Sequence, residues 1–532
     1  MSNILDGYIN DLLKINPTIN DFFLKDGYED KKHIQPNVYS EKHYKQINDL
    51  NKLYLKKVNK ISKLSFHEKI FKQDLKDSIH LEDGYKIYYY MPIDIRGNII
   101  IDYVTECSGN GFFKFKKEKD YYDFISRLKS LDDITDEVIY KMKRGIKDGI
   151  TLYEKTVDYM IYQNNEILKK KPYENNKVTI SKKKWNEAVQ KHLVKNIEKL
   201  NNFLIKEYHP HSSNSFGLQS YKGGKDAYRY TVKMDTLRTS TPEKIHEIGI
   251  QELKRLLNEK KKLEKKINKG DIDKYIKSEK KDYYVTKKAV LDDLKEIKKD
   301  IIDNVFSKNF HGEIKKSDDF DIKPISVENE SHYAYYLSAD LKKTKKGAFY
   351  INTKEPKKIN KNELYVLSLH EGIPGHHYEI NYHNQFSKYD YFKGGSYDSY
   401  SEGWGLYCES LGDYTDDKKY YYRLKYDILR SIRLIIDTAI HYFGWEYGKC
   451  FDFMKKYLDN SDKDIHRSLL RYISNPGQAL TYKIGERTIL YLREKYMEKG
   501  GNIKDFHEII MRLGPCPLDD LIDGVITFVN KQ

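Results

Sequence analysis

The run Leu367-Ser368-Leu369-His370-Glu371-Gly372-Ile373-Pro374-Gly375-His376-His377-Tyr378-Glu379 constrains this chain more than any other feature. An apolar helical approach delivers a His-Glu pair, meets a proline and a glycine, and then supplies two more imidazoles. Imidazoles gathered with an acid bind a transition-metal ion, and that ion activates water. The usual zinc-hydrolase helix places its two His ligands at i and i+4, with the Glu after the first as general base. Here position i+4 is Pro374. On an unbroken helix, His376 would point about 120° away from His370, and His377 would lie about 10 Å further along the axis.

Pro374 cannot donate to the His370 carbonyl and disfavours helical dihedrals at Ile373, while Gly375 tolerates a local bulge. The sequence therefore predicts a widened turn that extrudes two residues and returns His376 to the face of His370. His376 is the favoured second ligand. His377 is the alternative, and whichever does not ligate becomes a supporting or substrate-contacting imidazole. The third ligand is expected from a following helix, where Ser401-Glu402-Gly403-Trp404-Gly405-Leu406-Tyr407-Cys408-Glu409 offers Glu402. Glu409, at i+7 on the same face, would orient a ligand or bind an amine. The expected cofactor is one zinc ion per chain.

Helical periodicity governs most of the remaining sequence. Residues 120–131, 136–163 and 182–208 carry apolar positions at i, i+3, i+4 spacing. Thr241-Pro242 reads as an N-cap and first-turn proline opening a long charged helix that ends at Gly270. Helix continues over 274–306. After residue 360 the predicted helices are 363–384, 400–412, 418–447, 449–458, 461–474, 476–497 and 503–513. Two regions break the pattern. Residues 86–115, rich in β-branched and aromatic residues around Arg96-Gly97-Asn98, read as a β-hairpin. Tyr333–Ser338 and Ala348–Asn352 read as two strands whose free edge would pair with an extended peptide. The length suggests two to four domains, and the division expected is a mostly helical N-terminal half, 1–310, carrying the hairpin, and a catalytic half, 311–532, carrying the metal-binding helices.

The net charge of +15 does not name a partner. The lysines alternate with acids and apolar residues at helical spacing, which reads as solvated surface, so neither nucleic acid nor membrane is an expected partner. Four scattered cysteines without a CxxC pair, no secretory leader pattern and no apolar run long enough to cross a membrane point to a soluble cytoplasmic protein. The oligomeric state expected is monomer. Gly109-Asn110-Gly111 and Gly223-Gly224 lack the strand-to-helix context of phosphate loops, and His246-Glu247 has no second histidine nearby, so both signals read as structural.

Residues 370–378 and 402–409 resemble family 885 of the domains of unknown function, whose members look like zincin-type metallopeptidases. The resemblance extends through Arg433–His441 with Gly444-Trp445, Asn475–Gly485, Phe506-His507-Glu508 and Pro517-Leu518, and upstream through Met142–Ile146 and Thr241–Gly249. That family shares the stretched His-Glu-x-x-Pro-Gly-His-His spacing. One local departure is Ala439, where the family pattern tends to have glycine.

The resemblance implies a mostly α, cleft-shaped, zincin-like metallopeptidase fold, similar to the angiotensin-converting and thermostable carboxypeptidase groups, with a small β element beside the active site. With the residues, it implies hydrolysis of short peptides. Zinc on His370, His376 and Glu402 would acidify a water, Glu371 would take its proton and later deliver it to the leaving amine, and Tyr482 or His441 would stabilise the oxyanion. Lys483, Arg487, Arg433 and Arg471 are the candidates for a substrate carboxylate, which would make the enzyme an exopeptidase acting at C-termini, of carboxypeptidase or dipeptidase type, with an Arg433–Asp437 ion pair as the structural alternative. Two other functions compete: a zinc hydrolase of a non-peptide amide or ester, including a member that has lost catalysis, and a basic scaffold protein.

Overall fold

The computed structural model describes all residues except 1–3, 85, 96, 175–177, 316–317, 326–332, 344–345, 395–396 and 531–532, and except the side chains of 82–84, 86 and 87. The described residues are mostly helical. Helices begin where the sequence supplies a side-chain acceptor for first-turn N–H groups. Ser40, Thr241, Thr286, Asn360, Asp416, Ser461 and Asn502 each act in this way. The Thr241-Pro242 start is as expected, and its helix runs Pro242–Ile267.

No strand forms among the described residues of 86–115; two helices, Lys86–Tyr90 and Ile99–Cys107, stand where the hairpin was expected, and Arg96 of the expected turn lies outside the described residues. The Ile99–Cys107 helix buries Ile100, Tyr103, Val104 and Cys107, a complete i, i+3, i+4, i+7 stripe. Asn98, read as a turn residue, is the N-cap and accepts the Ile100 N–H at 3.0 Å. β-branched composition outweighed periodicity in the sequence reading, and packing reversed that order.

The expected strand pair is present as β2, Ala334–Leu337, and β3, Ala348–Ile351, antiparallel to one another. A third strand, β1, Asp321–Pro324, pairs parallel with β3 on its other side, giving the order β1-β3-β2. Asp-Ile-Lys-Pro carries little strand signal, so β1 was missed. All four β3 residues are buried, and its second edge belongs to β1 rather than to an incoming peptide.

One apolar cluster joins distant parts of the chain, with Leu5, Tyr54, Phe310, Leu364, Trp404, Ile489 and Val525 among its members. A second is local, from Ile93 to Tyr208. The Asp398–Glu409 and Gln478–Glu498 helices approach backbone to backbone, since a Cβ on Gly403 would stand 2.5 Å from Gly485 Cα. The predicted helix 363–384 is two helices, Lys361–Glu371 and His376–Phe386. The break between them builds the site.

Candidate metal centre

Glu371 is the last residue of its helix and His376 the first of the next. In place of the expected bulge inside a continuous helix, the chain stops and restarts. The Gly372 N–H still closes on the Ser368 carbonyl at 3.0 Å, and the Pro374 carbonyl accepts the Trp404 indole N–H at 2.9 Å. Trp404 is fully buried and so ties the break to the Glu402 helix. Gly375 packs on the helix end, where a Cβ would lie 1.9 Å from the His370 carbonyl oxygen.

The restart brings His376 beside His370, with ring centroids 4.7 Å apart and planes at 89°. Glu402 Oε2 lies 3.4 Å from Nε2 of both His370 and His376. One donor atom from each residue falls within a 4.8 Å cluster. The 3.4 Å separations are long for a charge-assisted hydrogen bond. Two ligands bound about 2.0–2.1 Å from one tetrahedral zinc ion are about 3.3 Å apart, so the two His–Glu separations suit such an ion.

Electrostatics favours the same use. Burial works against charge on His370, but Glu402 and Glu409 outweigh it and raise the imidazole to about 10. His376 is also raised, burial being outweighed by Glu402. Burial likewise opposes the Glu402 charge, and the two imidazoles override it, holding the carboxyl well below its usual range. A cation would take the place of those protons. Glu409 Oε1 accepts the Nδ1 proton of His370 at 2.9 Å, and Arg430 Nη2 stands 3.4 Å from the same oxygen. Glu409 therefore holds the His370 nitrogen that does not face Glu402. Arg430 had no sequence signal of its own.

His377 turns to the other side of its helix. Its Nε2 donates to the Asp318 carbonyl at 2.7 Å and its Nδ1 accepts the Tyr336 hydroxyl of β2 at 2.9 Å. A cavity of about 830 Å³ opens on that side, lined by His377, Tyr378, Asn381, Tyr382 and Phe386 but by none of the three clustered residues.

A model of the family described as "Bacterial protein of unknown function (DUF885)" matches residues 26–525. The chain belongs to the DUF885 family. No curated protein matches it. Among solved structures, a Colwellia psychrerythraea protein called a "putative lipoprotein" superimposes with a TM-score of 0.87 at 20% identity, covering 99% of this chain and 98% of that one. A Shewanella oneidensis protein, called a "putative lipoprotein of unknown function", superimposes with a TM-score of 0.70 at 14% identity, covering 98% and 99%. At these identities the likeness shows the shared fold alone.

Several expected site residues of this DUF885 protein are committed elsewhere. His441 is fully buried, its Nδ1 accepts the Leu218 N–H at 3.0 Å, and its Nε2 donates to the Tyr472 carbonyl at 2.9 Å. Both nitrogens serve the backbone, so it has none to offer an oxyanion. Lys483 is buried between Asp427 and Glu486, with Glu252 3.8 Å away, and Arg487 pairs with Glu252. Neither of these two cations is left for a substrate carboxylate. The expected Arg433–Asp437 pair is also absent: Asp437 accepts from the Tyr228 hydroxyl and the Gly477 N–H, while Arg433 Nε donates to the Tyr472 hydroxyl at 3.2 Å.

Tyr482 is the expected residue whose ring lies beside that of His370. Its ring lies at 18° to the His370 ring with centroids 6.4 Å apart. Its oxygen accepts from Arg471 at 2.9 Å and Gln478 at 3.3 Å, which leaves its own proton to donate. Gly405 was missed as a site residue although the Gly-Trp-Gly pattern marks it, and a Cβ there would meet His370 Cε1 at 2.8 Å.

Proposed function

We propose that this DUF885 protein is a zinc-dependent hydrolase of peptide bonds. The observation that supports it best is the convergence of His370, His376 and Glu402 into one set of donor atoms, with Glu371 beside them. His370 Nε2, His376 Nε2 and a Glu402 oxygen would hold the ion and leave a fourth position for substrate or water. Zinc bound there supplies a Lewis acid and lowers the pKa of its water.

The protein's own residues provide the rest. Glu409 fixes the tautomer of His370 so that Nε2 faces inward. Glu371, next to His370 in the chain and nine-tenths buried, would take a proton from water and return it to the leaving amine. The Tyr482 hydroxyl is oriented by Arg471 and Gln478 to donate to the carbonyl oxygen as charge develops on it. The outer edge of β2 would offer main-chain pairing to an extended peptide, in the zincin-like cleft that this reading proposes.

Among the described residues no helix is long and apolar enough to cross a membrane. All four cysteines are free and buried, which suits the reducing cytoplasm we propose as its compartment. We take the working form to be a monomer acting on short peptides.

Metal content by mass spectrometry, on protein purified without chelator, tests the reading. Wild type should carry one zinc per chain and trim a mixed peptide digest, and Glu402→Ala should lose both. Metal-free protein in both preparations would overturn it.

A further inference from the structure

Beside the candidate centre, three arginines crowd one tyrosine. The guanidinium carbons of Arg433, Arg430 and Arg471 stand 4.4, 5.7 and 6.0 Å from the Tyr482 ring centroid. Such contacts are favourable, but a phenol ring does not neutralise three cations.

Their bonding separates them. Arg430 reaches the Glu409 carboxylate, so its charge is matched by the residue that holds His370. Arg433 and Arg471 have neutral partners only. Arg433 Nε bonds the Tyr472 hydroxyl, and Arg471 Nη2 bonds the Gln478 side-chain oxygen and the Tyr482 hydroxyl. Among the described residues neither forms an ion pair. Arg433 is only 8% exposed, yet its Nη1 has no hydrogen-bond partner, and Arg471 Nε and the neighbouring Ser474 hydroxyl are unpartnered as well. A buried guanidinium without an anion is costly. The carboxylate whose charge does act on Arg433 is Glu402, which the metal reading commits to the ion.

Position matters as much as charge. The Arg433 guanidinium lies against the Tyr482 ring, which lies nearly parallel to the His370 ring. The two centroid distances together place that guanidinium within about 11 Å of a candidate ligand. One residue spans at most about 3.3–3.6 Å, so a leaving fragment of one or two residues can run from the centre to the guanidiniums.

We infer that Arg433 and Arg471, held by Tyr472, Gln478 and Tyr482, form a subsite for the free C-terminal carboxylate of a peptide, so that the enzyme releases short fragments from C-termini. This inference rests on the peptidase reading for its catalytic half and on the unpartnered guanidinium nitrogens for its binding half. A planar carboxylate meets a guanidinium fork with paired charge-assisted bonds, and a C-terminal amide or a peptide interior offers no such charge.

The test uses N-acetyl-phenylalanine and its C-terminal amide, titrated calorimetrically into full-length protein stripped with a chelator. The acid should bind wild type roughly 10- to 100-fold more tightly than the amide, which keeps one carbonyl acceptor and loses one charge-assisted hydrogen bond. In Arg433→Gln and Arg471→Gln the acid-to-amide ratio should fall toward one, and Arg433→Lys, which keeps charge but loses the fork, should lie between. Arg471 is the more exposed of the two, so Arg471→Gln carries the comparison if Arg433→Gln does not fold.

Equal binding of acid and amide, binding of neither, or a ratio unchanged in folded variants would overturn the subsite. A second arm digests free-acid and amidated copies of one peptide with zinc-loaded protein. Acid-selective binding without cleavage would keep the subsite and remove the peptidase reading. Cleavage without acid selectivity would do the reverse.

Discussion

Oε1 of Glu409 receives the Nδ1 proton of His370 at 2.9 Å, and this bond decides which imidazole nitrogen faces Glu402. Burial alone would push the Glu409 carboxyl up, but the Arg430 charge and His370 outweigh it and keep the carboxyl below its usual range. It therefore acts as a fixed anion behind His370. Glu409→Gln keeps an acceptor and removes the charge. We expect zinc affinity to fall by roughly 10- to 100-fold, measured by competition with a chromophoric chelator, and the folded circular-dichroism spectrum to persist. Unchanged affinity would mean that His370 does not depend on this anion.

Lys483 sits among Asp427, Glu486 and Glu252, while Arg423 pairs with Asp427 and Glu486. Lys483→Met leaves buried acids short of a cation, a loss worth about 3–5 kcal/mol. The urea midpoint should drop accordingly, with zinc content of the folded fraction unchanged. Intact stability with impaired cleavage of free-acid peptides would return Lys483 to substrate binding.

The sequence carried the helices and the candidate ligands for a shared reason. Both are local: a cap, an apolar stripe, a His-Glu pair and a proline-glycine break all sit within one or two helical turns. Tertiary partners were not legible. His441 and Tyr482 looked equivalent, each in a helix that matched the family, and only packing shows one imidazole spent on Leu218 and Tyr472 and the other ring laid against His370. Lys483 and Arg433 likewise looked interchangeable as cations. Glu252, which arrives from a helix more than two hundred residues earlier, joins Asp427 and Glu486 around the first, and among the described residues no acid forms an ion pair with the second. The 99–107 helix was misread although its buried stripe is regular, because β-branched residues fill it.

Gly405 faces the His370 ring, which Glu409 pins from the other nitrogen. In Gly405→Ala the new methyl would need space now held by His370 Cε1, 2.8 Å away. Either the ring shifts or the helix moves, and overpacking of this kind costs about 1–3 kcal/mol. We expect weakened zinc binding together with a modest drop in unfolding midpoint. A variant with wild-type zinc affinity would show that the ring position is not critical.

Asp235 and Asp437 sit on either side of Gly477. Asp437 accepts the Gly477 N–H, and a Cβ on Gly477 would meet Asp235 Oδ2 at 2.4 Å. Burial, with Asp398 and Asp437 nearby, raises the Asp235 carboxyl to about 8. Burial raises Asp437 to about 7 against the Tyr228 and Gly477 hydrogen bonds. Both folded values lie above the unfolded carboxylate value of about 4, so between these limits the native state binds more protons than the unfolded chain. Stability supplied by these protons is complete below about pH 4 and is lost as pH rises through about 8. Asp235→Asn removes one titration and keeps the shape. The variant should match wild type below about pH 4 and exceed it by a margin that grows as pH rises to about 8, to about 5 kcal/mol at pH 9, read as the difference between urea midpoints at fixed zinc. Equal pH profiles for the two proteins would show that Asp235 ionises in the folded state as freely as in the unfolded one.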